Sequence, residues 1–265
     1  MLRKAALASW VLDLVYLLAA PLLLLAALVA SRGFTRPKLR RGIVSKLGVG
    51  LRRREGERSL IWVHAVSVGE VLTALPLVQA MEQRWPGREV LVSVSTYTGH
   101  EIAARRLGAD KVIYAPIDLS FVVNAFFRAL RPAALVLIEL ELWPNFLLCA
   151  FRRGIPTLIA NGRLSERSTR RYELLRGLSR ALFSLPTAVG AQSEECRSRF
   201  QRLGVVPEKL SVLGNLKHDR QPSPSTRQAP DVRLRLGWRP VETLVLVGGS
   251  THPGEERALL ALYAQ

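Results

Sequence analysis

The chain has 265 residues, 49 % of them apolar, enough for a sizeable core and too many for a disordered polymer. Lys and Arg outnumber Asp and Glu by 38 to 21, a net charge of +17 that calls for an anionic partner. Aromatic residues make up only 7 %, and no RNA-recognition or zinc-finger pattern is present, so a membrane surface or a phosphorylated substrate fits better than nucleic acid.

The first predicted element is apolar. Residues 5–30, AALASWVLDLVYLLAAPLLLLAALVA, are long enough to cross a bilayer, for which about 20 residues suffice. Asp13 and Pro21 interrupt the stretch, and the uncharged run Leu14–Ala30 sits at the lower length limit. Residues 1–31 are expected to be an uncleaved membrane anchor. A cleaved signal peptide and a membrane-dipping helix are the alternatives. Residues 32–59 are basic: Arg32, Arg36, Lys38, Arg40, Arg41, Lys46, Arg52, Arg53 and Arg54 precede the first acid, Glu55. This flank predicts that the bulk of the chain lies in the cytoplasm and that it touches anionic lipid.

From Leu60 the pattern alternates between strand and helix. An apolar run, Leu60–Val66, leads into Ser67-Val68-Gly69-Glu70 and then a helix marked by Leu72, Leu75, Val78 and Met81. Strands are predicted at Val90–Val94, Lys111–Tyr114, Ala134–Leu140, Thr157–Ala160, Ala188–Ala191 and Leu210–Leu213. Helices are predicted at His100–Leu107, Leu119–Leu130, Phe146–Arg153, Glu173–Phe183 and Glu194–Leu203. This alternation implies an α/β fold with a parallel sheet covered on both faces, over residues 60–220. Gln221–Pro230 holds three prolines, and residues 221–241 read as a linker. Residues 242–265 then supply one strand, Thr243–Val247, and one helix, Gly254–Ala264: the beginning of a second, incomplete domain.

Several polar residues fall at strand ends, where open α/β sheets bind ligands. Gly69 suits a turn approached closely by another backbone or a ligand. Glu70 follows at a helix start, where it serves either as helix cap or as general base. Glu139 and Glu141 end a strand; alternation turns both to one face, as a cleft pair or as solvated acids. Arg163 can bind a phosphate or carboxylate bidentately, or form an ion pair within the fold. Ser250 and Thr251 precede the last helix, whose free N–H groups favour an anion. His64, His100, His218 and His252 form no metal motif, and Cys149 and Cys196 show no redox spacing, so neither metal nor cofactor is expected.

Six collinear stretches carry a resemblance: HAVSVGEVLTALPLV from His64, ELELWPN at 139–145, NGRLSERS at 161–168, AQSEE at 191–195, GNLKHD at 214–219 and GGSTHPGEE at 248–256. Together they resemble the 3-deoxy-D-manno-octulosonic acid (Kdo) transferases of lipopolysaccharide synthesis, from Leu60 to the last residue. The resemblance implies a GT-B glycosyltransferase with two Rossmann-like domains, CMP-Kdo as donor and a lipid A precursor (lipid IVA) as acceptor. It implies Glu70 as catalytic base, with Ser67 and Gly69 of the same motif, Glu139, Glu141, Arg163 and Lys217 near substrate, and Ser250 and Thr251 on the donor side. The later donor motifs have no counterpart here. Leu140 stands where Thr is common in the family, Gly162 where Ala is usual, and His218 where an aromatic residue is usual. The rival readings are a GT-B enzyme with another nucleotide sugar, and an inactive remnant that binds membrane only.

Overall fold

The computed structural model describes residues 12–14, 16, 18, 37–219, 237, 248–249 and 251–263. Most of the predicted linker, the strand Thr243–Val247, Ser250 and most of the apolar N-terminal stretch lie outside these residues. Among the described residues no helix is long and apolar enough to cross a membrane. The chain forms two compact units, residues 1–220 and 221–265.

The first unit is a seven-stranded parallel sheet. In chain order, helix α1 (Pro37–Lys46) precedes β1 (Leu60–Ala65), α2 (Val68–Arg84), β2 (Glu89–Val94), α3 (Tyr97–Leu107), β3 (Val112–Tyr114), α4 (Ser120–Leu130) and β4 (Pro132–Ile138). Then follow α5 (Pro144–Arg152), β5 (Thr157–Gly162), α6 (Glu166–Leu174), α7 (Arg176–Phe183), β6 (Ala188–Ala191), α8 (Glu194–Arg202) and β7 (Leu210–Val212). The strands lie in the order β3-β2-β1-β4-β5-β6-β7. The chain therefore runs outward from β1 in one direction, returns to β4 beside β1, and runs outward in the other. The second unit contributes α9 (Glu255–Tyr263), which opens with Thr251 donating to Glu256 at 2.6 Å and the His252 N–H donating to Glu255 at 2.9 Å.

Side-chain alternation along β1 builds a core on each face. Ile61, Val63 and Ala65 meet Val71, Ala74, Val78 and Met81 of α2. Leu60 and Trp62 turn the other way, to Phe126 and Phe127 of α4 and Phe146 of α5. Trp62 is fully buried, with the Phe127 and Phe146 rings at 5.1 and 4.8 Å, and its indole N–H donates to Ser93 Oγ at 2.8 Å.

Three expectations need correction. Glu173–Phe183 is not one helix: α6 starts at Glu166 and yields to α7 after Leu174. The sequence ERSTRRYEL has almost no apolar period, but Ser165 caps it by accepting from the Ser168 N–H at 3.1 Å. Strand β4 ends at Ile138 rather than Leu140, because Glu139 adopts a left-handed backbone with φ of 61°. Finally, α1 forms within the basic flank, where no helix was expected.

Candidate active site at the sheet's switch point

Strand order reverses between β1 and β4, and the loops that follow these strands diverge. In open α/β sheets that crevice, at the carboxyl ends of the strands, is where ligands bind. Ser67 and Glu70 follow β1, and Glu139 and Glu141 follow β4.

Ser67 is the N-cap of α2, and its hydroxyl both accepts from the Glu70 N–H at 3.4 Å and donates to Glu70 Oε1 at 2.9 Å. The Val66 N–H donates to Glu70 Oε2 at 2.8 Å. Both carboxylate oxygens of Glu70 are thus held by donors. Glu70 is 8 % exposed. Burial pushes its carboxyl above the usual range; the donors from Val66 and Ser67 pull it back, and the charge of Glu139 pushes up again. Glu70 caps the helix and also presents a desolvated carboxylate to the crevice, so the two sequence readings are compatible.

Glu141 is pushed up to about 7, by burial first and then by the charges of Glu70 and Glu139, against a 2.9 Å bond from the Trp143 indole N–H. The three acids therefore form one electrostatic cluster. The route differs from the expected one: strand alternation does not apply after Ile138, and the left-handed turn at Glu139 brings the two acids together. Lys217 lies on a 3₁₀ turn, Leu216–Asp219, with Nζ 3.4 Å from Glu139 Oε1. Arg163 is exposed at the end of β5 and makes no ion pair among the described residues. Gly69 is exposed; a Cβ there would approach only Ser67 Oγ, at 3.8 Å, so the fold itself does not require glycine. Thr251 belongs to the second unit.

Asn161 is a further residue that shapes this edge. It is 3 % exposed and left-handed, with φ of 58°, and its Oδ1 accepts from the Leu216 N–H at 3.0 Å. It ties the end of β5 to the turn that carries Lys217. An Asn before Gly at a strand end is a left-handed signal that composition alone does not turn into a contact. His64 is buried beside Ser93, and burial pushes it down to about 4, so it stays neutral at pH 7. Among the described residues no three His, Cys, Asp or Glu side chains could hold a metal ion. A cavity of about 1070 Å³ opens around the amino-terminal ends of β1 to β3, but two of its cations, Arg54 and Lys111, are paired with Glu89 and Glu82.

Residues 36–220 match the family described as 3-deoxy-D-manno-octulosonic-acid transferase (kdotransferase). The chain belongs to this family. A 3-deoxy-D-manno-octulosonic acid transferase of Haemophilus influenzae is 36 % identical over 212 residues, covering 77 % of this chain and 49 % of that protein. One from Chlamydophila psittaci is 35 % identical, covering 75 % of this chain and 46 % of its own length. The chain thus spans about half the length of these relatives. The fold is shared with a structure described as a UDP-N-acetylglucosamine 2-epimerase from Listeria monocytogenes, at a TM-score of 0.50 and 15 % identity over 69 % of this chain and 52 % of that one. The family match includes the Ser67–Glu70 turn, the Glu139–Glu141 turn, Arg163 and Lys217.

Proposed function

We propose that this chain is the acceptor-side half of a GT-B glycosyltransferase that moves Kdo from CMP-Kdo to a lipid A precursor, lipid IVA, at the cytoplasmic face of the inner membrane. The observation that carries the reading is Glu70, a buried carboxylate held by donors at the switch point beside Glu139 and Glu141.

In this reading Glu70 takes the proton of the acceptor hydroxyl. The acceptor oxygen bonds to the anomeric carbon of Kdo as the bond from that carbon to the CMP phosphate breaks, so the configuration inverts. CMP departs with the bonding electrons. Raising the carboxyl by burial makes Glu70 a stronger base near neutral pH than a solvated glutamate. Arg163, and Lys217 on exchanging its Glu139 partner, are cations at this edge that would meet the carboxylate of Kdo or phosphate. The remaining donor pocket is expected from a second Rossmann-like domain, to which residues 242–265 with Ser250 and Thr251 belong.

The test uses a chain completed by its second half. Glu70→Gln is expected to lower turnover by about 10²-fold or more with little loss of folding, because the amide keeps the size but cannot accept the proton. Near-parental turnover would return Glu70 to the role of helix cap. A panel of nucleotide sugars tests the donor: preference for one other than CMP-Kdo would overturn that part of the proposal.

A further inference from the structure

Among the described residues two tryptophans are exposed, Trp85 at 42 % and Trp143 at 41 %. Trp85 follows α2 at the amino-terminal edge of the sheet, where the Arg88 guanidinium lies 5.6 Å from its ring. Trp143 stands at the opposite edge, on the loop that follows β4 and carries Glu139 and Glu141. No aromatic ring or guanidinium stacks on it among the described residues. A single exposed aromatic is ordinary on a protein surface; Trp143 differs in how firmly it is held.

Its backbone N–H donates to the Glu141 carbonyl at 3.0 Å, and its indole N–H donates to Glu141 Oε2 at 2.9 Å. Trp143 is the N-cap of α5, and Pro144 begins that helix. The next two backbone N–H groups, of Asn145 and Phe146, donate to the Asp118 carboxylate at 3.1 and 2.9 Å. With His64, Ser95, Asp118 and Phe146, Trp143 also borders a cavity of about 10 Å³, room for one water at most. His64 belongs to β1 and Ser95 follows β2, so Trp143 lies at the carboxyl ends of those strands as well. An indole fixed in this way loses little freedom when a ligand covers it.

The polar groups beside it are of one kind. Glu141 holds the indole, and the charges of Glu70 and Glu139 act on Glu141. Ionised carboxylates only accept hydrogen bonds, so they select a ligand rich in donors. The indole face offers apolar packing area. A saccharide ring meets both demands, with hydroxyl donors on its rim and a face of C–H groups. Glu141 pairs with no cation among the described residues, so a ring with its own carboxylate, such as Kdo, meets like charge beside Trp143. A hydroxylated ring without a carboxylate does not.

We infer that Trp143 is a platform for a sugar ring of the acceptor: the C–H face of the ring packs on the exposed indole, and Glu141, through the oxygen that does not hold the indole, accepts from one of its hydroxyls. The reacting hydroxyl of the acceptor then comes within reach of Glu70. The inference rests on the saccharide transfer proposed above, but its test reads binding rather than turnover, so the two fail separately.

Lipid IVA stripped of its acyl chains is titrated into the 265-residue chain in detergent. Saturation-transfer NMR reports which ligand protons touch the protein. The parent is expected to bind, with the strongest transfer on C–H protons of one ring face. Trp143→Ala is expected to weaken binding by about 10-fold and to abolish that pattern. Trp143→Phe keeps a flat face but cannot bond Glu141, and is expected to bind within about 3-fold of the parent. Should the alanine chain not accumulate, Trp143→Leu, apolar but not flat, is expected to show the alanine loss. No binding by the parent, parental affinity in the alanine or leucine variant, or a phenylalanine variant as weak as the alanine one would each overturn the inference. Binding of intact lipid IVA without binding of the stripped saccharide would also overturn it, and would assign Trp143 to the acyl chains.

Discussion

Glu141 carries the most visible electrostatic consequence of the site. Its carboxyl, near 4.5 when solvated, is pushed up to about 7 in the fold by burial and by its two acidic neighbours. A raised acid favours the fold fully below its unfolded value, and that contribution is lost as pH rises from about 4.5 through 7. Glu141→Gln removes the charge while an amide oxygen can still accept the Trp143 N–H. The variant is therefore expected to be more stable than the parent above pH 7, with the difference vanishing below about pH 4.5, as thermal unfolding across pH would measure. A constant difference at every pH would show that the acids do not share one field. Residue spacing exposed Glu139 and Glu141 as neighbours, but their meeting with Glu70 was not legible, because it depends on a left-handed turn and on strand order.

Among elements, the start of α2 matters most. Ser67 satisfies an orphan N–H of the helix and holds Glu70 with the same hydroxyl. Ser67→Ala is expected to cost about 1 kcal/mol of stability in urea unfolding, with Ser67→Thr recovering most of it. Because the lost donor favours the ionised form of Glu70, the carboxyl of Glu70 should also rise in the alanine variant. The aromatic cluster under β1 is a second element-scale dependency. Trp62→Ala would empty a site packed by Phe126, Phe127 and Phe146 and leave Ser93 without its indole donor, an expected loss of about 3–5 kcal/mol.

At the scale of the molecule, residues 1–220 form a unit with its own sheet and two cores, while α9 and the turn before it stand in a separate unit. Leu260, Leu262 and Tyr263 of α9 are exposed. A polypeptide of residues 1–265 supplied alone with CMP-Kdo and a lipid A precursor is expected to yield no detectable product, since it spans about half the length of the related transferases. Product at a rate comparable with a full-length relative would mean that these residues hold the whole donor site.

The sequence by itself determined the class of fold, because period-2 runs, helical stripes and glycine stops are local signals that survive without neighbours. It also determined the candidate acids, since a strand followed by Ser-Val-Gly-Glu writes its own helix cap. Helix α6 escaped because its polar surface leaves no stripe to read. Only the tertiary structure decided that β1 and β4 lie side by side, which brings Glu70 to Glu139 and Glu141 across some seventy residues of chain. Only the tertiary structure decided what Asp13 does. In the sequence it is a flaw in an apolar stretch; in the fold it caps a helix more than a hundred residues away. Hydrogen-bond partners of that separation are set by packing, and packing is not a local property of the chain.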